Sequence, residues 1–221
     1  MRILVGIDGS DDYFLPSRGR NRSYRRTFRY SFVTRLLTDL YIDGPRALGG
    51  GMMDAISQGH DFIVTRRRPG VNDPILLTGY SRGAAGVIEI ANRLRSRKLE
   101  VQAMLLFDCV DRHIGINTQY IPENVRNVLH VVRDLGSGSR NSFGHSGRRP
   151  HHSTRYEEYS FHCTHSAMGG MPYYPSPEES EDDFIVESYP DGQTRVTYRQ
   201  DSRGAEHVWY SVQKFIGLHG F

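Results

Sequence analysis

The sequence predicts an α/β fold, a mostly parallel sheet flanked by helices and completed by a C-terminal β-hairpin and helix. Three observations point to it. Short apolar runs bounded by turn residues alternate with stretches whose apolar residues recur at helical spacing. The runs are rich in branched or bulky side chains, as strands covered on both faces are. The chain of 221 residues is long enough for one well-buried core and too short for two comfortable ones, so a single domain over 1–221 is expected.

In chain order, "RILVGID" (2–8) reads as a buried strand closed by Gly9 and followed by an acidic turn. "SFVTRLLTDLYID" (31–43) starts at helical spacing and ends extended, and "GGGMMDAISQGHDFIVTRR" (49–67) forms a helix despite its opening glycines. "PILLTG" (74–79), "VQAMLLFDCV" (101–110) and "NVLHVVRD" (127–134) are strand candidates, with the helix "RGAAGVIEIANRLRSRK" (82–98) between the first two. Residues 136–155, opening "GSGSRNSFGHSGRRP", read as a flexible surface loop. "YEEYSFHCTH" (156–165) is one more strand, ending at His165 before the glycine turn "SAMGG". "DFIVESYPDGQTRVTYRQD" (183–201) is a hairpin around Pro190-Asp191-Gly192, and "AEHVWYSVQKFIGLHG" (205–220) is an amphipathic helix stopped by Gly217.

Composition excludes several classes. With 38% hydrophobic and 24% charged residues the chain lies in the globular range. The net charge of +3, from 28 basic and 25 acidic residues, is too even to imply a nucleic-acid partner. The Arg-rich stretches "RGRNRSYRRTFRY" (18–30) and "TRRRPG" (65–70) read first as a solvated arm and loop; contact of their Arg and Tyr residues with nucleic-acid phosphates and bases, or peripheral contact with an anionic membrane, are the alternatives. Two cysteines, Cys109 and Cys163, make no disulfide framework, so a reducing compartment is expected. No signal-peptide pattern and no apolar run of about 18 residues is present, which places the expected location in the cytoplasm.

Chemistry concentrates at Gly79-Tyr80-Ser81-Arg82-Gly83, between a strand and a helix. This is the setting of a nucleophile elbow, a sharp turn that lifts a serine hydroxyl above the sheet edge. The glycines remove side chains that would collide with neighbouring backbone, and the backbone N–H of Arg82 faces the place where an oxyanion would form. A serine needs a base, and the base needs an orienting acid. In the chain order serine, acid, histidine, Asp134 closes the strand "NVLHVVRD" and His165 ends "YSFHCTH". Asp108, also at a strand end, is the alternative acid. His162 and His207 compete with His165, but His162 points to the opposite strand face and His207 lies within the last helix.

"GYSRGA" preceded by "PGVNDPILLT" resembles the signature of the α/β hydrolase family that includes the type VI secretion lipase effectors and their uncharacterised relatives. "ILVGIDGSDD", "FVTRLL", "LYIDGP", "LLFDCV", "NVLHVVRDLGSGSRNSF" and "FHCTHSAMGG" resemble further segments of that family in the same order, over most of residues 3–171. The resemblance implies a Ser-Asp-His ester hydrolase, a phospholipase, lipase or carboxylesterase acting on a small-molecule or lipid ester, with Ser81, Asp134 and His165 at the matching positions. It implies a second oxyanion donor in the turn at Gly9 and Ser10, and no metal or organic cofactor. His145, His151, His152, His162 and His165 crowd together around Cys163, but no paired metal-ligand spacing appears among them. The rival from another class is an inactive module on the same scaffold that binds through its basic surface.

Overall fold

In the computed structural model, the described residues are 2–10, 31–45, 50–68, 70–111 and 115–221. The Arg-rich arm at 18–30 lies outside them. Among the described residues, ten strands and five helices follow the predicted alternation. Ile3–Ile7 (β1) leads to a one-turn helix, Phe32–Arg35 (α1), and to Leu40–Ile42 (β2). Met52–Arg66 (α2), Ile75–Tyr80 (β3), Arg82–Ser96 (α3) and Val101–Phe107 (β4) follow. Next come Tyr120–Ile121 (β5), Val125–Arg133 (β6), Arg149–Pro150 (β7) and Arg155–Phe161 (β8). The chain closes with His165–Met168 (α4), Phe184–Val186 (β9), Gln193–Thr197 (β10) and Tyr198–His219 (α5).

The main sheet has six strands in the order β2-β1-β3-β4-β6-β8, and every neighbouring pair runs parallel. Side chains alternate between its two faces, and both are apolar. Ile3, Val5, Ile7, Ile75, Leu77 and Met104 pack under α2 and α3 with Ile56, Ile63, Val87 and Ile90. Leu4, Leu76, Leu105 and Leu129 pack on the other face against Phe32, Val208, Val212 and Phe215 of α1 and α5. This double cover explains why the central strands read as continuous apolar runs.

Three sequence boundaries move. The strand expected to end at His165 stops at Phe161; Thr164 then caps a short helical turn, accepting from the Ala167 N–H. The last helix starts at Tyr198 with a capping box between Thr197 and Gln200, and it runs through exposed Gly217 to His219. It ends at Gly220, whose φ of 76° is the left-handed cap that glycine adopts freely. Within the stretch 136–155, expected as a flexible surface loop, Ser137, Ser139, Arg140 and Ser146 are buried. The stretch folds as two 3₁₀ turns, Leu135–Ser137 and Asn141–Phe143. The small antiparallel β9–β10 hairpin forms where expected, around the turn that contains Pro190.

Candidate active site

The site sits at the carboxyl ends of β3 and β4. The two strands end level, Tyr80 beside Phe107, so the residues that follow, Ser81 and Asp108, leave the sheet side by side. The Ser81 N–H donates to the Phe107 carbonyl at 2.9 Å, and the Asp108 N–H to the Val131 carbonyl at 2.7 Å. Both residues turn with positive φ, 55° at Ser81 and 44° at Asp108, a conformation that costs of order 1–3 kcal/mol for a side-chain-bearing residue.

The elbow is imposed sterically. A Cβ on Gly79 would stand 2.7 Å from the backbone of Ala84, and one on Gly83 would stand 2.2 Å and 2.3 Å from the carbonyl oxygens of Asp8 and Ile7. Only glycine at both positions lets α3 start directly behind the serine. Gly9 serves the same closeness, since a Cβ there would meet the Tyr80 ring at 2.6 Å and the Ser81 Cβ at 3.2 Å.

Ser81 Oγ lies 2.9 Å from His165 Nε2, and His165 Nδ1 lies 2.6 Å from Asp108 Oδ2. Burial alone would raise the Asp108 pKa. The Arg133 guanidinium, followed by the close approach of His145 and the hydrogen bond with His165, instead holds it well below the usual carboxylate range. Asp108 is therefore an acceptor, Nδ1 carries the proton, and Nε2 is free to accept from the serine hydroxyl. Burial lowers the His165 pKa, partly opposed by Asp108. An imidazole that stays neutral near pH 7 and touches a serine hydroxyl can act as a general base.

The histidine is fixed from several sides. Its N–H donates to Ser139 Oγ at 2.8 Å, and Ser139 Oγ donates to Glu187 Oε1 at 2.8 Å. Its carbonyl accepts from the Tyr80 hydroxyl at 3.0 Å. The preceding Thr164 donates its N–H and hydroxyl to Asp201 at 2.7 Å and 3.0 Å. The Tyr80 and Phe143 rings pack on the imidazole with centroids 5.1 Å and 5.4 Å away.

Two expectations are corrected by this geometry. Asp134 does not reach His165. Its carboxylate accepts from His162 Nδ1 at 3.0 Å, and the two side chains are 46% and 44% exposed; the carboxylate on His165 belongs to Asp108. The reason is register: β6 runs on to Arg133, paired with Phe161 of β8, and carries Asp134 past the serine. The Gly9 N–H is also committed, donating to Asp8 Oδ1 at 2.9 Å, so Gly9 acts by its lack of a side chain. Ser10 lies beside the elbow, its Oγ accepting from Arg82 Nη1 at 3.4 Å. Arg82 is the first residue of α3, where backbone N–H groups have no partner within the helix.

His207 is exposed on α5, where it lines a groove with Ser166 and Gly170, and His152 is likewise exposed. Among the described residues no group of three His, Cys, Asp or Glu side chains could hold a metal ion. Cys109 and Cys163 are free, buried thiols. Asp8, Tyr80, Arg133, Ser139 and Glu187 support the site without having been expected to. The sequence signals were at Arg133 and Asp8, charges that follow the apolar Val131-Val132 end of β6 and the apolar β1.

Residues 64–146 match the family model described as a thioesterase domain, a stretch that holds β3, the elbow, β4 and β6. The chain is similar to the solved structure of the Tle1 effector bound to the VgrG spike of the type VI secretion system. That match has 16% identity and a TM-score of 0.45 and covers 96% of this chain, which spans 60% of the effector's length. It is similar to an arylesterase at 15% identity and a TM-score of 0.44, covering 75% and 68% of the two chains. A third similar structure is the type II thioesterase BorB from the borrelidin biosynthetic cluster, at 13% identity and a TM-score of 0.39, covering 74% and 83%. No curated protein matches the sequence.

Proposed function

We propose that this α/β-hydrolase fold is a serine ester hydrolase over a single domain, with Ser81 as nucleophile, His165 as base and Asp108 as the orienting acid. One observation carries the reading: the serine, imidazole and carboxylate form a continuous chain at 2.9 Å and 2.6 Å. His165 Nε2 takes the Ser81 proton as Oγ attacks the acyl carbonyl. Backbone N–H groups of Arg82 and of the Ser10 turn stabilise the oxyanion. The protonated imidazole then donates to the leaving group, which departs and leaves an acyl-enzyme. Water, deprotonated by the same nitrogen, releases the acid and restores the serine.

The acyl donor is a small-molecule or lipid carboxylic ester, and a lipase or phospholipase activity is the finer form of this reading. An open groove of about 1500 Å³ beside the turn after His165 offers apolar surface from Phe32, Met171 and Trp209 next to the polar Arg35, Glu206 and His207. No helix of the described residues is long and apolar enough to cross a membrane. A second reading, an acyl thioester substrate, is favoured by the match at residues 64–146 and uses the same acyl-enzyme.

Labelling with a fluorophosphonate probe tests the reading. Wild type should label and Ser81→Ala should not, and p-nitrophenyl butyrate compared with butyryl-CoA separates oxygen ester from thioester. A folded wild-type protein that neither labels nor turns over either substrate returns the chain to the class of inactive binding modules.

A further inference from the structure

We propose that Arg133 is a positioning residue of this site, the counter-ion that allows Asp108 to remain ionised while His165 is neutral. The proposal rests on the triad reading above. A general base must begin neutral while its acid is charged, so the resting pair carries one net negative charge. Here that charge is buried: the side chains of Asp108 and Arg133 are 0% exposed. An uncompensated charge at such a depth is expelled by protonation of itself or of its neighbour. With no cation at Asp108 the cheapest relief is protonation of His165, and a protonated ring cannot accept from Ser81.

Arg133 supplies the cation in a fixed place. Its Nη1 donates to Asp108 Oδ2 at 2.6 Å, and its backbone N–H donates to Oδ1 at 3.2 Å. The other donors go to carbonyls: Nε to Ser139 at 2.9 Å, and Nη2 to Arg140 at 2.8 Å and Gly144 at 3.0 Å. Ser139 is the residue whose hydroxyl accepts from the His165 N–H. One guanidinium thus sets both the charge of the acid and the seat of the base, which a lysine with its point charge cannot do. Among the described residues, the other charged and titratable groups around the pair include His145, with Nε2 3.4 Å from Asp108 Oδ1, Tyr80 on the imidazole, Glu187 behind Ser139, and the buried His130, Cys109 and Cys163, whose charged forms feel Asp108. Arg140 faces away, its N–H and guanidinium held by Glu187 and Ser188.

The test is the pH dependence of p-nitrophenyl ester hydrolysis, with folding checked by circular dichroism. In Arg133→Gln the acid limb of kcat/KM should move up by roughly one unit, because the guanidinium charge no longer opposes protonation of His165 beside Asp108. In Arg133→Lys, which keeps the charge and loses the fork, the limb should stay within about 0.3 unit of wild type while kcat falls about tenfold or more from lost placement. A downfield proton resonance from the His165–Asp108 hydrogen bond, titrated in the Ser81→Ala background, should report the same shift without turnover. A folded Arg133→Gln whose limb and resonance titrate as in wild type overturns the proposal. Should that variant not fold, an upward shift of a full unit in Arg133→Lys overturns it equally. An inactive, unlabelled wild type would instead overturn the hydrolase reading, which separates the two failures.

Discussion

Replacing Asp108 by Asn separates the two candidate acids. Arg133 Nη1 and His165 Nδ1 both donate to the same Asp108 oxygen, Oδ2, at 2.6 Å, and the Arg133 backbone N–H donates to Oδ1 at 3.2 Å. An Asn has one oxygen for these three donors, so its NH₂ meets a donor in either orientation, and the negative charge that holds the Nδ1 proton and stabilises the imidazolium is gone. The Asp-to-Asn change costs a serine hydrolase about 10⁴ in kcat, or roughly 5.5 kcal/mol of barrier. The buried Arg133 loses its partner as well, which should lower stability by about 3–5 kcal/mol. Asp134→Asn breaks a half-exposed pair with His162, a change expected to cost below about 1 kcal/mol and to leave kcat within about twofold. Initial rates on a p-nitrophenyl ester, normalised to probe-labelled sites, give the first quantity, and urea unfolding gives the second. An Asp108→Asn enzyme retaining more than a tenth of wild-type kcat, or an Asp134→Asn enzyme falling as far, would refute the assignment.

Asp8 is buried at the end of β1, with a pKa that burial raises to about 6 against hydrogen bonds from Ser31, Gly9 and Tyr41. The folded state binds its proton more tightly than the unfolded chain, so its contribution falls as pH rises from about 4 to about 6, by roughly 3 kcal/mol. Subtracting the pH–stability curve of Asp8→Asn from that of wild type isolates this loss from that of Asp201, also raised to about 6 by burial; a flat difference curve would contradict it. Gly83→Ala places a Cβ 2.2 Å from the Asp8 carbonyl oxygen and should lower stability by about 3 kcal/mol or more; a normal urea midpoint would show that the elbow can yield. Ser81→Gly should be more stable than Ser81→Ala by about 1 kcal/mol, because only the glycine relaxes the φ of 55°, and equal melting temperatures would deny that strain. Since burial lowers the His165 pKa, the acid limb of wild-type kcat/KM should lie below the ordinary histidine value of about 6.5, and a limb above it would contradict a buried neutral base.

Local sequence carried much of the fold. The apolar runs at 3–7, 75–80, 101–107 and 125–133 became the centre of the sheet, because a strand covered on both sides must be apolar on both. The helix starting at Arg82 was equally legible from its spacing. What local pattern handled poorly was the segment 136–155, where small polar residues looked like loop. Those serines are buried because their hydrogen bonds go to distant partners, Ser139 to Glu187 and to His165, contacts with no trace in nearby sequence.

The sequence by itself determined the elbow, since Gly79 and Gly83 around Ser81 are the residues that turn alone requires, and it brought forward His165 as the base candidate. Only the tertiary structure decided which carboxylate meets that histidine. Asp108 and Asp134 both end apolar strands, and nothing near either in the chain distinguishes them. The distinction lies between strands: β4 ends level with β3, while β6 extends beyond it. Strand register is set by packing across the whole sheet, and that places one acid beneath the imidazole and the other at the surface.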